Sequence, residues 1–116
     1  MTRDSAKKRA VDAYIAFASL GCPDVDIIQT IPDAELRADL MAVARMFARL
    51  EREGKDYISA AVRDVYMFVR FSSRKRVTSE RVLAHAMTVY ADERTVWRWL
   101  RYAKELFVEL RSDEAV

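Results

Sequence analysis

VTSERVLAHAMTVYADERTVWRWLRYAKELFVEL, Val77 to Leu110, is the stretch whose reading decides the fold. It reads as a short helix near 79–89, a tight turn, and a long basic helix near 92–111. Thr78 and Ser79 are both N-cap candidates for the first helix, because a side-chain oxygen there accepts from orphan backbone N–H groups. Val82, Leu83, Ala86 and Val89 follow at helical spacing and are read as its apolar face. Asp92 is read as the N-cap of the second helix, with Glu93 favourable in the positive first turn. In that helix Val96, Leu100, Ala103, Phe107 and Leu110 make an inward stripe flanked by Trp99 and Leu106. Arg94, Trp97, Arg98, Arg101 and Glu105 point the other way. An apolar inner face and a cationic outer face are what a helix-turn-helix needs. Its second helix lies in the DNA major groove and offers Arg side chains to base edges.

Ala86, Val89, Ala91, Asp92, Thr95 and Val96 carry a resemblance. Their spacing resembles the helix-turn-helix in region four of sigma factors, and is similar to phage-encoded regulators of the ArpU and RinA type. The likeness continues through Thr95-Val96-Trp97-Arg98-Trp99-Leu100-Arg101-Tyr102-Ala103-Lys104 and covers about a quarter of the chain. The sequence departs from the pattern at His85, where an aliphatic residue is usual, and at Ala91, which is small for its slot. Tyr90 stands where Gly is common, and a Tyr at positive φ is costly. Whether the turn takes the usual geometry stays open at this point. The resemblance implies a transcriptional regulator of phage or mobile-element origin.

Charge agrees with the division of the stretch from the rest. Residues 70–104 hold nine basic residues against three acidic ones, a net +6, while the remainder holds 11 basic and 15 acidic, a net −4. A basic module on an acidic body points to a polyanion-binding surface on one part only. The DNA contacts expected are Arg94, Thr95, Trp97, Arg98, Arg101 and Lys104 on the second helix, with Arg74, Lys75 and Arg76 from a polar connector, 72–76, before the motif. Arg94 and Arg98, near the helix start, are the expected base readers. Arg101, Lys104 and the three connector cations are expected to meet phosphates. For the connector a plain soluble loop is the other reading. Trp97 and Trp99 lie roughly 160° apart around a helix, so they cannot serve one face. Trp97 is read either as a DNA or partner contact or as packing against the preceding helix.

The 116 residues suit one domain, 1–116, with a helical core over 1–72 and the helix-turn-helix over 77–111. An apolar fraction of 52% with two Gly and two Pro, and no period-two runs, predicts an all-α, five-helix bundle. Helices are expected near 5–19, 32–53, 56–71, 79–89 and 92–111. Val11, Tyr14, Ile15 and Ala18 are the expected face of the first. Lys7-Lys8-Arg9 is read as a solvated turn, or alternatively as a DNA-backbone arm. Gly21-Cys22-Pro23 ends the helix, and Pro23 to Gln29 has room for one helical turn. Thr30-Ile31-Pro32-Asp33 has capping-box spacing, with Pro32 at the first helical position. Leu36, Leu40, Val43, Phe47 and Leu50 alternate by four and three, as a core helix or a dimer seam would. Asp56 to Phe71 is apolar on most sides, which suits the hub of a bundle or a helix partly covered by a second subunit. Val65, Val69, Leu83, Val96, Leu100 and Phe107 are the expected core.

Other chemistry is not signalled. The one Cys, Cys22, excludes an internal disulfide, and a reducing cytoplasm is the default setting. No apolar run approaches the roughly 20 residues of a membrane span, and no secretory leader is apparent. Two Gly residues cannot build a P-loop or a dinucleotide-binding loop. No zinc spacing occurs. The lone His85 reads as a structural residue. No cofactor and no enzymatic activity are expected. The favoured function is sequence-specific binding of double-stranded DNA for transcription regulation, by a homodimer whose interface comes from 36–50 and 58–71. The alternatives are a helical module docking an acidic partner such as RNA polymerase, and a small phage structural or packaging protein.

Overall fold

The computed structural model describes residues 3–67 and 75–113, with side-chain surroundings given for 5–67 and 77–113. The described residues form six helices: α1 (Arg3–Ser19), α2 (Val25–Ile28), α3 (Ala34–Arg52), α4 (Asp56–Tyr66), α5 (Lys75–Thr88) and α6 (Glu93–Asp113). The single short turn α2 accounts for the sixth. Among these residues there is no β-strand, and no helix is long and apolar enough to cross a membrane.

Several boundaries differ from the sequence reading, each for a local reason. α3 is capped by Asp33, not Thr30: the Asp33 carboxylate accepts from the amides of Glu35 and Leu36 at 3.0 and 3.1 Å. Thr30 instead donates its hydroxyl to the Ile27 carbonyl at 2.6 Å, so Pro32 precedes the helix. α4 stops at Tyr66, because Met67 leaves helical geometry at φ −108° and ψ 31°. Val69 and the rest of the expected extension to Phe71 lie outside the described residues. α5 begins at Lys75, so Thr78 and Ser79 are inside its first turns and do not cap it. Lys and Arg are good helix formers and no Gly or Pro intervenes, so the helix extends back past both hydroxyls.

α6 packs against α1, α3, α4 and α5, and α4 against α1, α3, α5 and α6. The inward stripe of α6 is as expected: Val96, Leu100, Ala103, Leu106, Phe107 and Leu110 are buried, and Trp99 is half-buried with its ring 5.0 Å from that of Tyr57. Leu40, Val43, Met46, Phe47 and Leu50 of α3 are buried within the single chain. Ile58, Ala61, Val62, Val65 and Tyr66 of α4 are buried likewise. The described apolar faces expected to supply a dimer interface are therefore already used in the core. α1 turns Ala10, Ala13, Tyr14 and Phe17 inward, leaving Val11, Ile15 and Ala18 half-buried, a rotation from the face expected.

α5 is also rotated. Val82, His85 and Ala86 are buried, whereas Leu83 is 48% and Val89 42% exposed. The expected core position of Leu83 is thus wrong. His85 Nδ1 lies 2.6 Å from Asp64 Oδ2 on α4, and this hydrogen bond fixes which side of α5 faces inward. His85, expected to be half-buried, is instead 4% exposed.

Two cross-links brace the outside. Arg9 of α1 and Arg111 of α6 both reach Glu35 (2.6 and 2.8 Å) and Asp39 (3.1 and 2.7 Å) of α3. Lys55 in the α3–α4 connection meets the Tyr102 hydroxyl at 2.8 Å and Glu53 at 3.3 Å.

Leu100 is 1% exposed, so Leu100→Ala is expected to cost about 2–5 kcal/mol. Leu83→Ala should stay within about 0.5 kcal/mol of wild type. Urea unfolding of the two variants checks the rotation of α5 and α6 together. A second expectation concerns pH. The hydrogen bond from Arg9, aided by the nearby Arg111 charge, holds the Glu35 carboxyl below its ordinary value of 4.5. A depressed carboxylate pKa stabilises the fold above the unfolded value, and that contribution is lost as pH falls through the folded value. The gap in Tm between wild type and Glu35→Gln should therefore close in acid, measured by thermal unfolding between neutral pH and about pH 3.

Candidate functional site

The site begins at the turn between α5 and α6. Tyr90 adopts the left-handed conformation at φ 57°, the geometry that Gly usually supplies at a helix C-terminus. The Ala91 amide reaches back to the Ala86 carbonyl at 2.9 Å, and the Val89 amide to that of His85 at 3.1 Å. These bonds satisfy carbonyls that the helix end would otherwise leave open. The turn left open by the sequence is thus made with Tyr in the glycine position. Asp92 then starts α6: its carboxylate accepts from the Arg94 amide at 3.2 Å, and its carbonyl from the Thr95 and Val96 amides.

Because Val96 and Leu100 are turned into the core, helical geometry sends Arg94, Trp97, Arg98 and Arg101 outward, and all four are exposed. With Lys104 and with Lys7 of α1 they line an open cleft of about 450 Å³. Among the described residues the cleft wall holds five cations and one indole, and no carboxylate. Among the described residues none of these five cations forms an ion pair, whereas Arg9, Arg49, Lys55 and Arg111 all do. Lys104 is half-buried rather than a free outward arm. Its ammonium sits 5.0 Å from the centre of the Tyr66 ring. Burial, and then the Lys7 charge, push its pKa below the usual lysine value. Burial also raises the Tyr66 hydroxyl to about 12.

The charge on the outer face of α6 changes sign along the helix. Arg94, Arg98 and Arg101 are followed by Glu105 and Glu109, both exposed. The cationic surface thus runs from Arg94 to Arg101, between the exposed Glu93 that opens the helix and Glu105.

Of the residues expected to form the site, Arg94, Trp97, Arg98, Arg101 and Lys104 come together. Thr95 is half-buried and does not line the cleft. Arg74 lies outside the described residues. Lys75 and Arg76 open α5 instead of belonging to a connector, and their side chains lie outside the described set. Lys7 is the member that the α6 pattern misses. Its cluster divides: Lys7 lines the cleft, Lys8 is exposed, and Arg9 joins Glu35 and Asp39. The signal for Lys7 is only its place three residues before the buried Ala10 and seven before the buried Tyr14, which sets it beside the α1 contact face. Comparison of the chain with family models, curated protein sequences and solved structures finds no match.

Leu83 (48% exposed), Met87 (70%) and Tyr90 (97%) continue the outer surface onto α5 as an apolar stripe. Leu83 and Met87, four residues apart, share one side of α5, and Tyr90 is exposed in the turn that follows the helix. Among the described residues no group of His, Cys, Asp and Glu is arranged to hold a metal ion.

Because the Tyr90 side chain is almost wholly exposed, replacing it removes strain without removing packing. A left-handed L-residue costs about 1–2 kcal/mol, partly offset by the chain entropy that Gly adds to the unfolded state. Tyr90→Gly should therefore raise stability by about 0.5–1 kcal/mol, read as a shift of the urea midpoint at unchanged slope.

Proposed function

We propose that this chain is a sequence-specific DNA-binding transcriptional regulator, of the phage or mobile-element kind that the α5–α6 sequence resembles. α5, the turn at 89–92 and α6 act as its helix-turn-helix. The observation that carries the reading is the row Arg94, Arg98 and Arg101 on the outer face of α6, none of which forms an ion pair among the described residues. A protein surface selected only for solubility mixes both signs and pairs many of them. One that meets a phosphate backbone leaves its cations available for counter-ion exchange. Arg94 and Arg98 stand one turn apart near the start of α6, within reach of base edges when that end enters the major groove. Arg101 serves the backbone. Two copies bound at neighbouring half-sites would set two such helices about 34 Å apart, one turn of DNA.

A second reading has its own observation. The exposed Leu83, Met87 and Tyr90 beside a cationic face suit a protein partner with an apolar centre and an acidic rim, such as a surface of RNA polymerase. Selection from a random duplex pool separates the two. The expected result is one preferred site, with affinity falling steeply as salt rises. Arg94→Ala and Arg98→Ala should each lose about 1–3 kcal/mol of discrimination at particular base pairs. Removing Arg94, Arg98 and Arg101 together without changing affinity or preference would reject DNA reading and leave the protein-partner reading in its place.

A further inference from the structure

We propose that the cleft between α1 and α6 is a phosphate-binding site in which the ammonium groups of Lys7 and Lys104 hold a single phosphate, with the Arg101 guanidinium at its edge. Three features on different elements support it. First, Lys7 and Lys104 come from helices far apart in sequence, so their approach is made by the fold and not by a local run of basic residues. Second, neither makes an ion pair among the described residues, although Glu35 and Asp39 engage Arg9 only two positions along α1 from Lys7. Third, Lys104 is half-buried over the Tyr66 ring, and the proximity of Lys7 disfavours its charged form.

Bringing two like charges together in a partly desolvated cleft opposes folding unless an anion joins them. A phosphate oxyanion relieves that repulsion, accepts charge-assisted hydrogen bonds from both ammonium groups, and matches the fork of Arg101. Trp97, 36% exposed, gives the cleft an apolar side, which strengthens each charged contact by excluding water. A carboxylate ligand has fewer oxygens to share among three donors, so phosphate is the better fit. The phosphate has two sources, the backbone of DNA or a free phosphate. If the source is DNA, the inference rests on the DNA-binding reading and extends it: α1 becomes part of the interface and fixes the distance between the base-reading end of α6 and the neighbouring strand.

The test follows the lysine side-chain amine signals by NMR, with inorganic phosphate and a mixed-sequence DNA duplex as separate probes. Inorganic phosphate should shift the Lys104 signal saturably and raise its pKa toward the ordinary lysine value, because an anion favours the charged form. Lys7→Gln should weaken that titration about tenfold. Lys8→Gln, which alters an exposed neighbour outside the cleft, should leave it unchanged. Lys104→Met keeps the stem over Tyr66 while removing the charge, so it separates loss of the site from loss of the fold. With the duplex, Lys7→Gln and Lys104→Met should each reduce the salt slope by about one unit. A phosphate response without any duplex binding supports the cleft with a free phosphate as its ligand and rejects the DNA reading. Duplex binding that depends on Arg94 and Arg98, with no phosphate response at Lys104 and an unchanged salt slope in both lysine variants, overturns the cleft and leaves the DNA reading standing.

Discussion

The Tyr14 ring is the contact on which the packing turns. It is fully buried on α1 and touches three other helices at once. Its hydroxyl donates to the Met46 sulfur of α3 at 3.4 Å, and its ring lies 5.7 Å from Tyr66 of α4 and 6.1 Å, edge-on, from Phe107 of α6. A phenol in such a place brings a large apolar area and one polar atom that requires a partner. The weak sulfur acceptor meets that need without adding a charge. Desolvation drives the Tyr14 pKa far up, so the group stays neutral. Once this ring is seated, the rotation of α1 follows, with Ala10, Ala13 and Phe17 inward.

That rotation also sorts the charges of α1. Turning Tyr14 inward sends Arg9 toward α3, where Glu35 and Asp39 neutralise it together with Arg111. It sends Lys7 to the other side, where it meets no acid among the described residues. The same helix thus contributes a paired cation to a brace and an unpaired one to a cleft. The brace needs acid partners on a neighbouring helix, and the cleft depends on their absence. The Tyr66 ring connects the two roles, since it packs against Tyr14 inside and beneath Lys104 outside.

How much of this was legible follows from the strength of each helical pattern. α6 could be read almost residue by residue, because Val96, Leu100, Ala103, Phe107 and Leu110 leave only one orientation, and its outward arginines come with it. α3 was equally clear in its apolar face. Its start was not, because both Thr30 and Asp33 have capping side chains. α5 was misread in its rotation. Val82, Leu83, Ala86 and Met87 share one side by period, but the buried face is the edge of that side formed by Val82 and Ala86 together with His85, and Leu83 and Met87 are left exposed. The choice is made by His85 meeting Asp64, a contact between residues 21 positions apart. Lys7 was unclear for the same kind of reason: membership of a cleft formed by two distant helices has no local periodicity to announce it.

The reversal of charge along the outer face of α6 has a consequence for motion before contact. A polyanion nearby pulls on the end that carries Arg94, Arg98 and Arg101 and pushes on the end that carries Glu105 and Glu109. The two forces act on opposite ends of one rigid rod and produce a torque. Under the DNA-binding proposal this gradient favours approach with the 94–101 stretch of α6 nearest the polyanion and the 105–109 stretch away from it. Such pre-orientation raises the fraction of productive encounters, and added salt abolishes it over a screening length of about 8–10 Å.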